Sequence, residues 1–181
     1  MTTLFTRMPS PIGDLLLAAN GDGDDDGSAL SAVWIDGQRW APRVGAGWRP
    51  AVAPFAEAVA QLRAYFAGER MAFDLPLRLS GTPFQNQVWD ALTRIPFGET
   101  RTYGAVAASL GRPAAARAVG AANGQNPLCV VVPCHRLVGT DGGLVDYAAG
   151  LDVKRRLLEH EFEVLTRQAG ASPRGRTPSR R

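Results

Sequence analysis

TPFQNQVWDALTRIPFGETRTYGAVAASLGRPAAARAVGAAN, residues 82–123, is the stretch on which the fold turns. Thr82 precedes Pro83, and Phe84, Val88, Trp89 and Leu92 recur at three- and four-residue steps. That pattern predicts a capped helix from Pro83 to Ile95. PFGET then makes a turn. Thr102 stands where it caps a short helix through Leu110, Gly111 stops it, and Pro113 opens the next helix at its first position. Two short helices joined by Gly-Arg-Pro read as a helix-turn-helix, although an ordinary helical hairpin has the same pattern. The later helix is nearly bald. Ala114, Ala115, Ala116, Ala118, Gly120, Ala121 and Ala122 leave Arg117 as its one long side chain. A helix that reads bases in the major groove displays polar residues. A bald one suits close backbone approach in a narrow minor groove, with Arg117 as wedge or phosphate anchor. The alternative is a buried Ala-rich helix with a surface arginine.

Downstream, NPLCVVVPCHRLVG at 126–139 predicts a buried strand over Cys129–Val132. Cys129, among valines, reads as a small buried hydrophobe. Cys134 ends the strand beside His135 and Arg136, a poor place for packing alone. A free thiol is only roughly 3% thiolate at pH 7. An imidazole can take its proton, and a carboxylate such as Glu161 can orient that imidazole. Neighbours on an extended strand face opposite ways, so Cys134 and His135 cooperate only if the chain bends at Pro133–His135. Residues 140–150 form a Gly-rich loop. LDVKRRLLEHEF at 151–162 predicts a helix with Leu151, Leu157 and Leu158 inward.

Upstream, residues 3–18 hold two extended pieces around the turn SPIGD, and SALSAVWID at 28–36 alternates like a half-buried strand. GDGDDDGS at 21–28 is an acidic loop without calcium-site spacing. Residues 52–67 predict an amphipathic helix with Phe55, Val59, Leu62 and Phe66 inward and Gly68 as its stop. DLPLRLSGTP at 74–83 looks like a strand and linker. The expected division is 1–79, 80–165, and a disordered Arg-rich tail at 166–181.

The sequence pI is about 9.3. The net charge is −2 over residues 1–79, zero over 80–165 and +5 over 166–181, so the basicity sits in the tail and says little about a DNA-binding fold. No apolar run is long enough for a membrane span, and the start MTTLFTRMPSPIG lacks signal-peptide features, which predicts a cytoplasmic address. The two cysteines would close only a tiny loop, so reduced thiols are expected. With His135 and His160 they lack the paired spacings of zinc modules, and no metal is expected.

The segments GTPFQNQVWDALTRIPFGETRTYG, AAARAVGAANGQNP, VVVPCHR and the Tyr147–Gly150 loop with KRRLLEHE resemble the O6-alkylguanine-DNA alkyltransferase family almost without gaps over residues 80–163. Residues 1–79 resemble it only through SPIG, the helix at 52–67 and YFAGE. The resemblance implies a small α/β N-terminal domain and a mostly helical C-terminal domain with a winged helix-turn-helix. It implies a protein that flips an O6-alkylguanine out of double-stranded DNA and takes the alkyl group onto Cys134, once, as a monomer and without a cofactor. It further implies that His135 takes the thiol proton through a water, Glu161 orients His135, and Asn126 braces the bend. Tyr103 would donate to guanine N3 and Arg117 would fill the gap in the duplex, with Ala116, Gly120 and Thr102 at the DNA. The backbone of Tyr147 and Ala148 would line the base pocket, with Val145 and Ala149 beside them. Relatives often carry smaller residues around that tyrosine, and zinc ligands found in some N-terminal domains are absent. Competing classes are a lesion binder without transfer, a cysteine hydrolase and a plain winged-helix DNA binder.

Overall fold

The computed structural model describes residues 2–21 and 29–171. The acidic loop at 22–28 and the tail beyond 171 lie outside the described residues. Four strands form the N-terminal sheet: β1 (Thr3–Met8), β2 (Leu15–Asn20), β3 (Leu30–Ile35) and β4 (Trp48–Pro50). Their order is β3-β2-β1-β4; β1, β2 and β3 are antiparallel neighbours, and β4 joins β1 in parallel. Leu15 and Leu17 of β2 and Val33 and Ile35 of β3 are buried.

Helix α1 (Ala56–Ala67) follows a 3-10 turn at Ala53–Phe55 and ends at Gly68, whose φ of 76° is the left-handed conformation that glycine adopts most easily. Its buried face is Ala58, Leu62 and Tyr65, continuing from Phe55. Val59 and Phe66 are half-buried, so the face is turned by one residue from the predicted one. The reason is Tyr65, whose ring packs inward because its hydroxyl has a buried acceptor. Residues 74–82 form no strand and make only one bridge among the described residues, Leu30 to Leu77.

The C-terminal part is mostly helical. Thr82 caps α2 (Pro83–Thr93) in a reciprocal box with Gln85. Thr102 caps α3 (Tyr103–Ser109), accepting from the Ala105 amide at 3.1 Å. Pro113–Ala115 is a 3-10 turn that leads into α4 (Ala116–Gly124). α3 and α4 are the helix-turn-helix. A small parallel ribbon of β5 (Arg101–Thr102) and β6 (Leu137–Val138) ties its start to the exit of the Cys134 segment.

Two predicted elements differ from the structure. Cys129–Val132 is a buried tight turn, with Val130 at φ 72°, and Leu128 forms a bridge to Val33 on the free edge of β3. The valine run is buried, as its composition requires, but burial does not force extension. The last helix, α5 (Leu151–Ala171), runs past residue 165 and turns Lys154, Leu157, Glu161 and Val164 inward. Leu151 is exposed and Leu158 half-buried, because the two charged side chains have partners inside.

Candidate active site

The site begins with the turn before Cys134. Asn126 clamps it from within: Nδ2 donates to the Val132 carbonyl at 2.9 Å, and Oδ1 accepts from the Leu128 amide at 3.0 Å. The Val132 amide closes the turn onto the Leu128 carbonyl at 2.8 Å. A β-branched residue at positive φ is uncommon and costs on the order of 1–3 kcal/mol. Val130 holds that conformation because these bonds fix both ends of the turn. Pro133 then leads into a 3-10 turn over Cys134–Arg136. The bend brings successive side chains together, where a strand would send them to opposite faces.

His135 and Glu161 are fully buried, and His135 Nε2 lies 2.8 Å from Glu161 Oε1. The carboxylate also accepts from Tyr65 at 2.8 Å, from Arg136 Nη2 at 2.9 Å and Nε at 3.0 Å, and from the Gly98 amide at 2.8 Å. Burial alone would raise the Glu161 pKa. The hydrogen bonds of His135 and Arg136 and the charge of Arg136 reverse that and hold it well below the ordinary carboxylate range. Glu161 is therefore ionised and an acceptor only, so His135 Nε2 carries the hydrogen. Burial lowers the His135 pKa against the pull of Glu161, so the ring is neutral. Its Nδ1 is then a free acceptor, buried and without a partner among the described residues.

Cys134 is 2% exposed, and Tyr147 Oη stands 3.8 Å from its sulfur. Its pKa is lowered to about 7, first by the neighbouring Cys129 thiol, against burial, and then by Asn126, Tyr147 and the positive Lys154. Cys129 moves the other way. Its partnership with Cys134 and its burial push it up, and its thiol donates to Gln38 Oε1 at 3.2 Å. Two thiols in one short segment thus differ in character: Cys134 is the one with the lowered pKa.

A second group surrounds a cavity of about 290 Å³. Tyr103, Ala116, Arg117, Gly120 and Val145 line it together with Asn123, Gly124 and Asp146. Arg117 is exposed and makes no ion pair or hydrogen bond with the described residues. A Cβ on Gly120 would meet the Tyr103 ring at 3.7 Å, so helix and ring are already close. Burial raises the Tyr103 pKa to about 12, with Asp146 and Cys134 adding to it, so this phenol keeps its proton. Thr102, Ala148 and Ala149 do not line this cavity. Thr102 is the α3 cap, and the Ala148 carbonyl accepts from the Arg39 amide at 2.9 Å. The Arg39 side chain pairs with Asp146, so the N-terminal part pins the 140–150 loop.

Three contributors escaped the sequence. Tyr65 and Gly98 hold Glu161 from distant segments. Lys154 is buried, donates to the Val145 carbonyl at 2.7 Å and sits 5.9 Å from the Tyr103 ring centre. Burial draws its pKa down to about 8, opposed by Cys134 and Asp146. The available signal was helical spacing: Lys154, Leu157 and Glu161 share one stripe of α5.

Fold and site together define a helix-turn-helix protein built around a buried, activated cysteine. Residues 83–163 match the family described as 6-O-methylguanine DNA methyltransferase, DNA binding domain, and residues 3–79 match its ribonuclease-like domain. The methylated-DNA–protein-cysteine methyltransferase of Mycobacterium leprae is 51% identical over 161 residues, covering 88% of this chain and 93% of the relative. The crystal structure of Mycobacterium tuberculosis OGT in complex with DNA matches with a TM-score of 0.80 at 46% identity, over 89% of this chain and 94% of that one. The M. tuberculosis O6-methylguanine methyltransferase matches with the same score and identity, over 90% and 94%. The chain belongs to the methylated-DNA–protein-cysteine methyltransferase family.

Proposed function

We propose that this protein repairs DNA by moving the alkyl group of an O6-alkylguanine irreversibly onto its own Cys134, one group per molecule. The observation that carries the assignment of residues is the free Nδ1 of a neutral His135, locked by Glu161, one residue from a thiol near pKa 7. His135 takes the thiol proton through a bridging water. The thiolate attacks the alkyl carbon, a C–S bond forms, and the bond from carbon to O6 breaks. The electron pair stays on the guanine, and the proton lost by the thiol ends on a ring nitrogen. Tyr103, neutral at working pH, donates to N3 as that charge develops and is reprotonated. The product is a thioether, which has no route back to the thiol, so the protein is consumed and no cofactor enters the scheme.

A protein thiol cannot reach the alkyl carbon in line with its bond to O6 while the base is stacked, so the nucleotide must be flipped. α4 supports that step. Its small residues, Ala116 and Gly120 among them, permit close approach to the minor groove, and Arg117 fills the gap in the duplex. Thr102 sets the start of the helix-turn-helix against the backbone. The loop carrying Val145, Tyr147, Ala148 and Ala149 bounds the base pocket. The protein acts on double-stranded DNA as a monomer in the cytoplasm, where thiols stay reduced. No helix of the described residues is long and apolar enough to cross a membrane.

The test is intact mass after mixing with duplex DNA containing O6-methylguanine. One addition of about 14 Da on Cys134, followed by inertness, is the expected result for a stoichiometric thiol acceptor. Multiple turnovers per molecule would point to a hydrolase or other catalyst.

A further inference from the structure

Cys129 and Cys134 are both free thiols, and both are buried. On an extended strand, residues five positions apart are separated by roughly 16 Å, and a disulfide spans no more than about 7 Å between Cα atoms. The turn removes that obstacle. The Val132 amide returns to the Leu128 carbonyl at 2.8 Å, Cys129 bridges Val132, and the Cys134 amide donates to the Val132 carbonyl at 2.8 Å. The chain doubles back, and the two thiols come within hydrogen-bonding reach of each other, with the Tyr147 hydroxyl beside both. Alkyl transfer consumes only one of them. Packing alone does not account for the other, because the Cys129 thiol has a polar partner, donating to the buried Gln38 Oε1 at 3.2 Å.

We propose that Cys129 is a resolving thiol: when a peroxide oxidises Cys134, Cys129 closes an intramolecular disulfide with it and keeps the acceptor recoverable. This rests on the alkyl-transfer function proposed above only for access, since a site that admits an alkylated base to the Cys134 sulfur admits hydrogen peroxide. The Cys134 thiolate attacks one peroxide oxygen, the O–O bond breaks, and the departing hydroxide takes up the thiol's proton as water. Cys134 is then a sulfenic acid. The Cys129 sulfur attacks the Cys134 sulfur, an S–S bond forms and the S–O bond breaks. The second hydroxide leaves as water with the Cys129 proton. Two thiols have given two electrons to one peroxide. Thiolate character makes Cys134 the first to be oxidised, while Cys129 stays protonated at rest. Without a second thiol, a sulfenic acid goes on to sulfinic and sulfonic acids, which do not return. A protein with one acceptor loses its whole capacity by that route.

The test is exposure of the full chain to hydrogen peroxide, then catalase, then intact mass under denaturing, non-reducing conditions. The wild type is expected to lose about 2 Da, to keep no thiol reactive to N-ethylmaleimide after denaturation, and to lose methyl transfer, with dithiothreitol reversing all three. Cys129→Ser keeps a hydroxyl donor for Gln38. It should show no such loss of mass and should instead gain roughly 32 or 48 Da on Cys134, which dithiothreitol does not remove. Oxygen added to the wild-type Cys134 while the Cys129 thiol stays free, or a disulfide between two copies of the chain, would overturn the assignment, and that result is read without any substitution. Mass and thiol count do not depend on DNA. A wild type that forms the disulfide but takes no methyl from duplex DNA would overturn the function proposed above and leave the role of Cys129 standing.

Discussion

The interior around Glu161 and the outer face of α4 handle charge in opposite ways. Around Glu161, one carboxylate is sealed from water and accepts from Tyr65, His135, Arg136 and Gly98, drawn from three separate segments. On α4, Arg117 is alone among alanines and glycines, exposed and free of protein partners in the described residues. The first arrangement fixes a tautomer and holds the fold together. The second leaves a cation available to another molecule. Damage to the network around Glu161 should therefore cost stability and chemistry together, while loss of Arg117 from α4 should cost only the handling of duplex DNA.

The largest effect is expected at the reactive end of the interior. Cys134→Ala should abolish methyl transfer while leaving DNA binding and melting temperature close to wild type; detectable S-methylation elsewhere in that variant would show that Cys129 or another group is the acceptor. Next comes Glu161→Gln. It strands the buried Arg136 guanidinium without its counter-charge, and breaking a buried pair this way costs about 3–5 kcal/mol. Urea unfolding is the measurement, and a loss below 1 kcal/mol would refute the idea that this network supports the fold. Arg117→Ala makes the contrast. Unstacking a nucleotide costs a few kcal/mol, so repair in duplex DNA should slow by on the order of ten- to a hundredfold, with reaction of free O6-methylguanine base and stability unchanged. Equal loss on both substrates would move Arg117 into the chemistry.

The effect of pH is smaller and separates the groups by sign. The Cys134 pKa of about 7 is below its unfolded value near 8.5. The transfer rate should rise through pH 7 and level off above it, and the linked stability is present above about pH 8.5 and fades as pH falls through 7. Glu161 is also depressed, so its contribution is present above about pH 4.3 and is lost on further acidification. Lys154→Met removes a positive charge near the thiolate and should move the rate midpoint upward; a midpoint that does not move would mean Lys154 only holds the loop through Val145. The smallest effect is expected at Val145, which lines the cavity yet is 46% exposed. Val145→Gly should widen the pocket and improve inactivation by O6-benzylguanine a few-fold, with methyl transfer unaffected, since relief of a clash of this size is worth about 1 kcal/mol. Similar gains on both substrates would place Val145 outside the alkyl channel.

Much of this molecule was legible in one dimension. Caps and periodicity are local, and Thr82, Thr102, Pro113 and Gly111 placed the helices because a cap acts on its own first turn. PCHR beside a buried segment identified the chemistry. The small residues of α4 left Arg117 as its one long side chain, and the structure has it exposed. What failed depended on partners far along the chain. Tyr65 faces inward because Glu161 lies 96 residues away, and α5 buries Lys154 and Glu161 in place of Leu151 because Val145, His135 and Arg136 meet them there. The valine run before Cys134 reads as a strand by composition. Asn126 and the edge of β3 make it a turn, since a buried segment needs its backbone groups paired but not in any one pattern. The sequence alone determined which residue types and local elements were available. Tertiary structure decided which charges were buried and which thiol has its pKa lowered, because burial and hydrogen-bond pairing are properties of the assembled neighbourhood and not of any one segment.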